Sequence, residues 1–221
     1  VKFGNNIALN DLSFVQDGIN LIVGLRGTND KLTVKYQYSD SARRIENFVF
    51  ADGSNLNSEQ ITALLEKQGN DLSNNISGDI NSNKMYGFGG NDTMYGLAGD
   101  DTIYGGEGND LIYGDVGNDN LYGEAGNDTV FGGDGNDLIE GGLGDNVIYA
   151  GAGNDAIDAG SGNDYVEGGT GNDIYLFNRG TGNDTIADFS WVNNAYVDAG
   201  TDKVKFGNNI ALNDLSFVQD G

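Results

Sequence analysis

An acidic residue recurs every nine positions through the middle of the chain: Asp92, Asp101, Asp110, Asp119, Asp128, Asp137, Asp155, Asp164 and Asp173, with Asn146 filling the one remaining place. Carboxylates so spaced suit acid–base chemistry in pairs or oxygen ligation of a hard cation. Acid–base work needs one carboxyl in an apolar pocket, and these stand among Gly and Asn in polar loops. The chain has no Cys and no His, which removes thiolate sites, disulfides and the commonest general base. It has no HExxH helix and no GxSxG elbow, so the zinc protease and serine hydrolase classes are excluded. What remains is a non-enzymatic module whose oxygen donors favour Ca²⁺ or Mg²⁺. Carbonyls drawn from two loops suit the flexible geometry of Ca²⁺ better.

Charge points the same way. The net charge is -23, and Gly87 to Leu176 holds eighteen acidic residues without one Lys or Arg. Such a block cannot compact without bound counter-charge, and its sign excludes nucleic acid as a partner.

The spacing belongs to a longer rhythm. From Gly87 the chain reads GFGGNDTMY, GLAGDDTIY, GGEGNDLIY and onward through ten nine-residue units without insertion or deletion. Place four is always Gly, place six carries the acidic series, and place eight is apolar or aromatic from Met94 to Tyr175. Units this small cannot bury a face alone, so they must stack. Places one to six predict a loop that uses Gly at one, two and four for positive φ. Places seven to nine predict a short strand with place eight inward. Two units then close one coil, so each loop lies over the loop eighteen residues on, about 4.8 Å away. The acidic residues fall into two ladders, Asp92–Asp110–Asp128–Asn146–Asp164 and Asp101–Asp119–Asp137–Asp155–Asp173. Stacked carboxylates repel unless a cation lies between them. Of the eight stacked pairs, the two that include Asn146 lack one carboxylate and are expected to be weaker or empty. A single GND reads as ordinary turn chemistry, but ten in phase read as ligation. The place-nine row Tyr95, Tyr104, Tyr113, Tyr122, Phe131 reads as sheet-stabilising stacking rather than as a binding stripe.

Around the block the chain divides as 1–68, a β-rich flank; 69–86, degenerate capping repeats; 87–187, the repeat block; and 188–221, a C-terminal cap that begins another flank. In the flank, LSFVQ and INLIVGL flank Asp17-Gly18, a hairpin signal. KLTVKYQY and RRIENFVFADG read as two more strands, and Asn57 or Ser58 caps a short helix through ITALLEK that Gly69 ends. Repeats 69–77 and 78–86 place Asn74 and Asn83 in the ligand position and should bind ions weakly or not at all. GTGNDTIADF supplies one more turn with Asp184 in that position, and Trp191 is expected to cover the open end. Val1 to Gly18 recurs unchanged as Val204 to Gly221, as expected of one unit cut from a tandem array; an engineered duplication would look the same.

These nonapeptides resemble the RTX (repeat-in-toxin) calcium-binding repeat, and DLSFVQDGINLIV, TVKYQY and RIENFVFADG resemble the segment bordering such blocks in haemolysin-type proteins. The resemblance implies an all-β fold: a right-handed parallel β-roll, or β-solenoid, with a small β-rich flanking cap containing one short helix. It implies about six to eight Ca²⁺ ions. Each would lie between two place-six side chains, with carbonyls from places two and four of one loop and places one and three of the loop two units on. Carried over, those carbonyls belong to Phe88, Gly90, Leu97, Gly99, Gly105, Gly106, Glu107, Gly108, Gly114, Asp115, Val116, Gly117, Gly123, Glu124, Ala125 and Gly126. In the second half they belong to Gly132, Gly133, Asp134, Gly135, Gly141, Gly142, Leu143, Gly144, Ala150, Gly151, Ala152, Gly153, Ala159, Ser161, Gly168 and Thr170. Ala150 and Ala159 depart from place-one Gly and should strain the loop wherever positive φ is required. The family context implies a protein secreted by type I export to the medium or bacterial surface, folding there on calcium. Its expected partners are calcium and adjacent units of the same chain; the alternative readings are a host-surface or glycan target, through the aromatic rows or Arg43 and Arg44, and an accessory domain of a secreted RTX enzyme or toxin.

Overall fold

The computed structural model describes residues 3, 7–17, 20–35, 37, 47–57, 60–61, 64–178, 180–187, 190–192, 195–197, 200–208 and 210–211. The flank begins with β1 (Leu12–Asp17), β2 (Asn20–Leu25), β3 (Lys31–Val34), β4 (Asn47–Val49) and β5 (Asn55–Asn57). β1 and β2 form the expected antiparallel hairpin, Asp17 facing Asn20; the two residues between them lie outside the described ones. Among the described residues of KLTVKYQY the first four are strand and Lys35 and Gln37 are turn, and Arg43 and Arg44 are outside the described residues. Asn57 and Gln60 exchange a reciprocal cap, Gln60 N–H to Asn57 Oδ1 at 2.8 Å and Asn57 N–H to Gln60 Oε1 at 2.9 Å, which starts the short helix at Gln60–Ile61. That helix does not run through ITALLEK. Leu64 is a turn residue and β6 (Leu65–Asn70) is extended, because Leu65 is buried in the flank core and Glu66 to Asn70 pair with the next coil.

The repeats then alternate between two sheets. They run β7 (Asn75–Asp79), β8 (Lys84–Gly89), β9 (Thr93–Leu97), β10 (Thr102–Glu107), β11 (Leu111–Val116), β12 (Asn120–Ala125) and β13 (Thr129–Asp134). After them come β14 (Leu138–Glu140), β15 (Val147–Ala152), β16 (Ala156–Asp158), β17 (Tyr165–Thr170), β18 (Ile174–Phe177) and β19 (Thr185–Ala187). A hairpin of β20 (Ser190–Val192) and β21 (Ala195–Val197) precedes the last strand, β22 (Lys203–Phe206). Trp191 lies in this hairpin opposite Tyr196; its side-chain surroundings are outside what the structure describes.

Even-numbered strands from β6 to β18 lie side by side in one parallel sheet, closed by β22 at one end and continued through β1, β2 and β3 at the other. Odd-numbered strands β7 to β19 form the facing sheet. From β6 to β18 every pairing within the repeats steps eighteen residues, as in Ile103 with Leu121 and Ile112 with Val130, and β17 to β19 steps twenty. The fold is therefore an all-β parallel solenoid of about seven turns. Pairing runs further than places seven to nine, since β10 carries it to Gly106 and Glu107 opposite Glu124 and Ala125. The loops are themselves stacked in register, so their backbone groups find ladder partners too.

Place eight fills the space between the sheets: Met94, Ile103, Ile112, Leu121, Val130, Ile139 and Ile148 are fully buried. The flank has a separate core built on Leu12, Phe14, Leu21, Val23, Phe48 and Ile61. Arg26 ties the two together, reaching Leu12 O at 2.9 Å and Glu66 Oε1 at 2.6 Å. The place-nine rings stack as expected, Tyr86–Tyr104–Tyr122 at 5.2 and 4.8 Å and Tyr95–Tyr113–Phe131 at 5.0 and 4.9 Å. Because the core is one side chain wide, each rung should matter: Leu121→Ala should cost about 2–5 kcal/mol. Leu143→Ala, at a position 61% exposed, should stay within about 0.5 kcal/mol. Equal shifts of the thermal midpoint in the two variants would contradict this packing.

Candidate metal centre

Place-six side chains converge where the sequence puts them, in two buried ladders. Each Oδ1 accepts the backbone N–H of the place-six residue one coil earlier, as from Asp92 to Asp110 at 2.8 Å and from Asp110 to Asp128 at 2.8 Å. The ladders include Asp128 N–H to Asn146 Oδ1 at 3.0 Å and Asn146 N–H to Asp164 Oδ1 at 2.7 Å. Asp184 continues one of them, accepting from Asp164 at 3.2 Å.

The second carboxylate oxygen has no such partner. Oδ2 of Asp92, Asp101, Asp110, Asp119, Asp128, Asp137, Asp155, Asp164 and Asp173 is buried without a hydrogen bond. For six of them, Asp92 to Asp137, another acceptor stands beside it. A Cβ placed on Gly105 would lie 2.5 Å from Asp110 Oδ2 and 2.8 Å from the carbonyl oxygen of Gly123. On Gly114 it would lie 2.5 Å from both Asp119 Oδ2 and Gly132 O. The same pairing brings Asp92, Asp101, Asp128 and Asp137 to the carbonyls of Gly105, Gly114, Gly141 and Ala150. Two oxygens with no proton between them define a place for a cation.

Those distances also correct the reading of place one. Positive φ occurs at place two, including Phe88, Leu97, Asp115 and Glu124 at 70–77°, and at place four, as in Gly126 at 137°. Place one has none, so Ala150 and Ala159 carry no left-handed strain. Glycine stands at place one because a Cβ would fill the gap beside the carboxylate. At place four both demands coincide, since a Cβ on Gly126 would overlap Gly108 O.

The remaining implied carbonyls divide by place. Those at place three are engaged loop to loop: Gly108 N–H donates to Ala125 O at 2.8 Å and Gly117 N–H to Asp134 O at 2.9 Å, and Val116, Leu143, Ala152, Ser161 and Thr170 accept likewise. A second lone pair on each remains. Place-four carbonyls such as Gly90 O and Gly108 O lie against the place-four Gly of the next coil.

Amides replace the carboxylate at three rungs and leave nothing orphaned. Asn146 Nδ2 donates to Ala159 O at 3.1 Å, the very carbonyl that would face a carboxylate there. Asn74 Oδ1 and Asn83 Oδ1 accept N–H groups of Asn70 and Asp79 at 2.7 Å each.

Sequence reasoning missed two features. Place five forms ladders of its own, Asn109 N–H to Asn91 Oδ1 at 3.0 Å and Asn127 N–H to Asn109 Oδ1 at 2.8 Å; Asn in eight of the ten units was the available signal. Asp202 closes the second acidic ladder, accepting Asp173 N–H at 2.7 Å. With Gly200 against Gly171 O and Val204 opposite Tyr175, VDAGTDKVK is a further unit with its place-four Gly, place-six Asp and place-eight Val intact.

Among the described residues no three acidic side chains group to hold a metal; the oxygens that come together are single carboxylates and backbone carbonyls. That all-oxygen donor set fits a hard ion of the Ca²⁺ type. Without one, burial pushes the carboxyls upward: Asp101, Asp110 and Asp164 to about 6, Asp119, Asp128 and Asp155 to about 7. Asp92, Asp137 and Asp173 shift in the same direction for the same reason.

Family comparison agrees with this chemistry. Residues 20–60 match the haemolysin-type calcium binding protein related domain. The RTX calcium-binding nonapeptide repeat matches at 68–103, 86–121, 104–139, 113–148 and 140–175. No curated protein matches the chain.

The raised values set the pH response of the ion-free chain. A folded state whose carboxyls titrate at about 6–7 binds more protons than an unfolded one titrating near 3.8. Stability from these groups is therefore full below about pH 4 and lost as pH rises through 6–7. In chelator, far-UV circular dichroism should show the roll at acid pH and lose it toward neutrality; a flat or opposite profile would contradict the burial.

Proposed function

The chain belongs to the RTX, haemolysin-type calcium-binding family, and from that premise we propose that it is a folding module whose structure is set by calcium outside the cell. RTX repeats bind calcium in a β-roll; the finer reading concerns where and to what end. The observation that carries it is the set of nine buried, unpartnered carboxylate oxygens. Each costs several kcal/mol if left charged, against about 5–15 kcal/mol for a whole domain. At neutral pH and without a cation the roll cannot hold them.

On this reading Asp110 and Asp128 share an ion with the carbonyls of Gly106, Gly108, Gly123 and Ala125, and the other stacked pairs repeat the arrangement. Calcium supplies the positive charge and six or more oxygen contacts. The protein's part is to hold the oxygens: Oδ1 is fixed by the N–H of the preceding coil, and the loop turns on its place-four Gly. Residues 87–187 form the ion-dependent roll, and 69–86 form a cap whose Asn74 and Asn83 are satisfied by backbone N–H. Asn146 distinguishes the two pairs it belongs to. Toward Asp128 the orphan Oδ2 still faces Gly141 O, so that site keeps its core. Toward Asp164 the Asn146 amide already occupies the carbonyl, so that site is closed.

Low calcium inside a cell would keep the acidic block expanded and exportable by type I secretion, the general route of RTX proteins. Outside, where modules of this kind bind at about 10⁻⁴–10⁻³ M, binding energy becomes folding energy. The protein is read as a scaffold within a secreted chain, with calcium and neighbouring units as partners.

Calcium titration at pH 7.5, followed by circular dichroism, should show cooperative gain of β-structure in the millimolar range; full β-structure in excess chelator would sink the proposal. Calorimetry should count one more ion bound by Asn146→Asp than by the natural chain. An unchanged count would show that the amide does not stand in an ion's place.

A further inference from the structure

The eighteen identical residues at positions 1–18 and 204–221 are seen in two different roles. In the second copy, Val204 to Phe206 belong to β22, the last strand of the larger sheet, with Tyr175 opposite Val204 and Phe177 opposite Phe206. Phe206 meets the Phe177 ring edge-on at 6.0 Å. In the first copy, Phe3 belongs to the flank: its N–H donates to Val49 O at 2.8 Å. Its ring stacks on Phe50 at 5.2 Å and on Phe48 at 5.9 Å.

These roles use opposite edges of one strand. Lys203 and Gly207 donate their N–H groups to Asp173 O and Phe177 O. Successive N–H groups along a strand point to opposite edges, so the Phe206 N–H faces away from β18. The equivalent N–H of Phe3 is the one bonded to Val49. No backbone group bonded on the roll side of the strand is needed on the flank side. The far edge of β22 has no neighbouring strand among the described residues, and Val204 and Phe206 are 46% and 39% exposed. An open edge with exposed apolar side chains is a surface made for pairing.

We infer that β22 is a shared joint whose partner is the flank of a second copy of this unit. The strand is the last rung of one roll and, through the Phe206 N–H and ring, the first element of the next flank. Phe206 would donate to the second copy's equivalent of Val49, and its ring would enter that flank's aromatic cluster. Consecutive units would then share backbone pairing with no linker between them, giving a stiff rod rather than beads on a string. This follows from the two observed roles and does not depend on which ion folds the roll.

The test is a chain extended beyond Gly221 by residues 19–221, measured in calcium beside the 221-residue chain. Amide exchange at Phe206 should slow at least tenfold in the extended chain, and small-angle scattering should fit two units in one fixed relation. Phe206→Ser in the extended chain should keep the calcium-induced circular dichroism but lose the fixed relation. Equal exchange at Phe206 in both chains would overturn the joint, as would scattering from two freely moving bodies. Loss of calcium-induced structure in both chains would instead count against the calcium reading.

Discussion

A buried carboxylate oxygen facing a backbone carbonyl is the contact on which the rest depends. Each is an acceptor, and burial denies both of them water. Packing cannot resolve this, because the buried side chains beside the carboxylates, such as Ile112 next to Asp110, are apolar and offer no donor. Only three species can stand between the two oxygens: a proton, a donor group or a cation. The chain contains an example of the second at Asn146, and burial, which raises the carboxyl pKa, favours the first as pH falls. The third is the one compatible with six such contacts at neutral pH, where protonation is incomplete.

The nonapeptide follows from that contact. Place six carries the carboxylate in nine units of ten, and place one is Gly in eight, which leaves the gap beside it open; Ala150 and Ala159 put a Cβ there. Place four must be Gly, since the coils approach so closely that a side chain would strike the carbonyl below. Place two is less constrained, because φ near 70° is open to Phe88, Leu97, Asp115 and Glu124 at modest cost. Place eight has only to be apolar. The strictness of each place in the sequence therefore tracks how many neighbours its atoms meet, from the invariant Gly at four to the varied residues at two and three.

This is why the roll was legible and the flank was less so. An unbroken period fixes neighbours by counting, and Asp92 to Asp173 fell into their ladders without knowledge of the flank. Counting fails where the period does. Asp202 stands twenty-nine residues after Asp173 rather than eighteen, because the hairpin of β20 and β21 is interposed. ITALLEK reads as a helix by local preference, yet Leu65 and Glu66 are held extended by the flank core and by the neighbouring strand. Local sequence suggests positive φ for place-one glycine, whereas its constraint is space beside Asp Oδ2. That constraint is tertiary and leaves no local mark.

The three amide rungs show how the chain varies its dependence on an ion without changing its fold. Asn and Asp have nearly the same shape, so a ladder tolerates either. Asn74 and Asn83 sit where coils begin, and their inward oxygens accept N–H groups from their own units. The first coils can thus form before any ion is bound, on a flank with its own core. Asn146 lies deep in the stack and works differently, turning its amide nitrogen to the carbonyl of the next coil. It pins two coils together by a neutral hydrogen bond worth about 1 kcal/mol, far less than a divalent ion would supply. A roll built this way has an ion-independent start, an ion-dependent body and one rung of lower stability within it. Opening on calcium withdrawal would therefore begin at the carboxylate rungs, which lose their counter-charge, and would reach the Asn146 rung and the cap later.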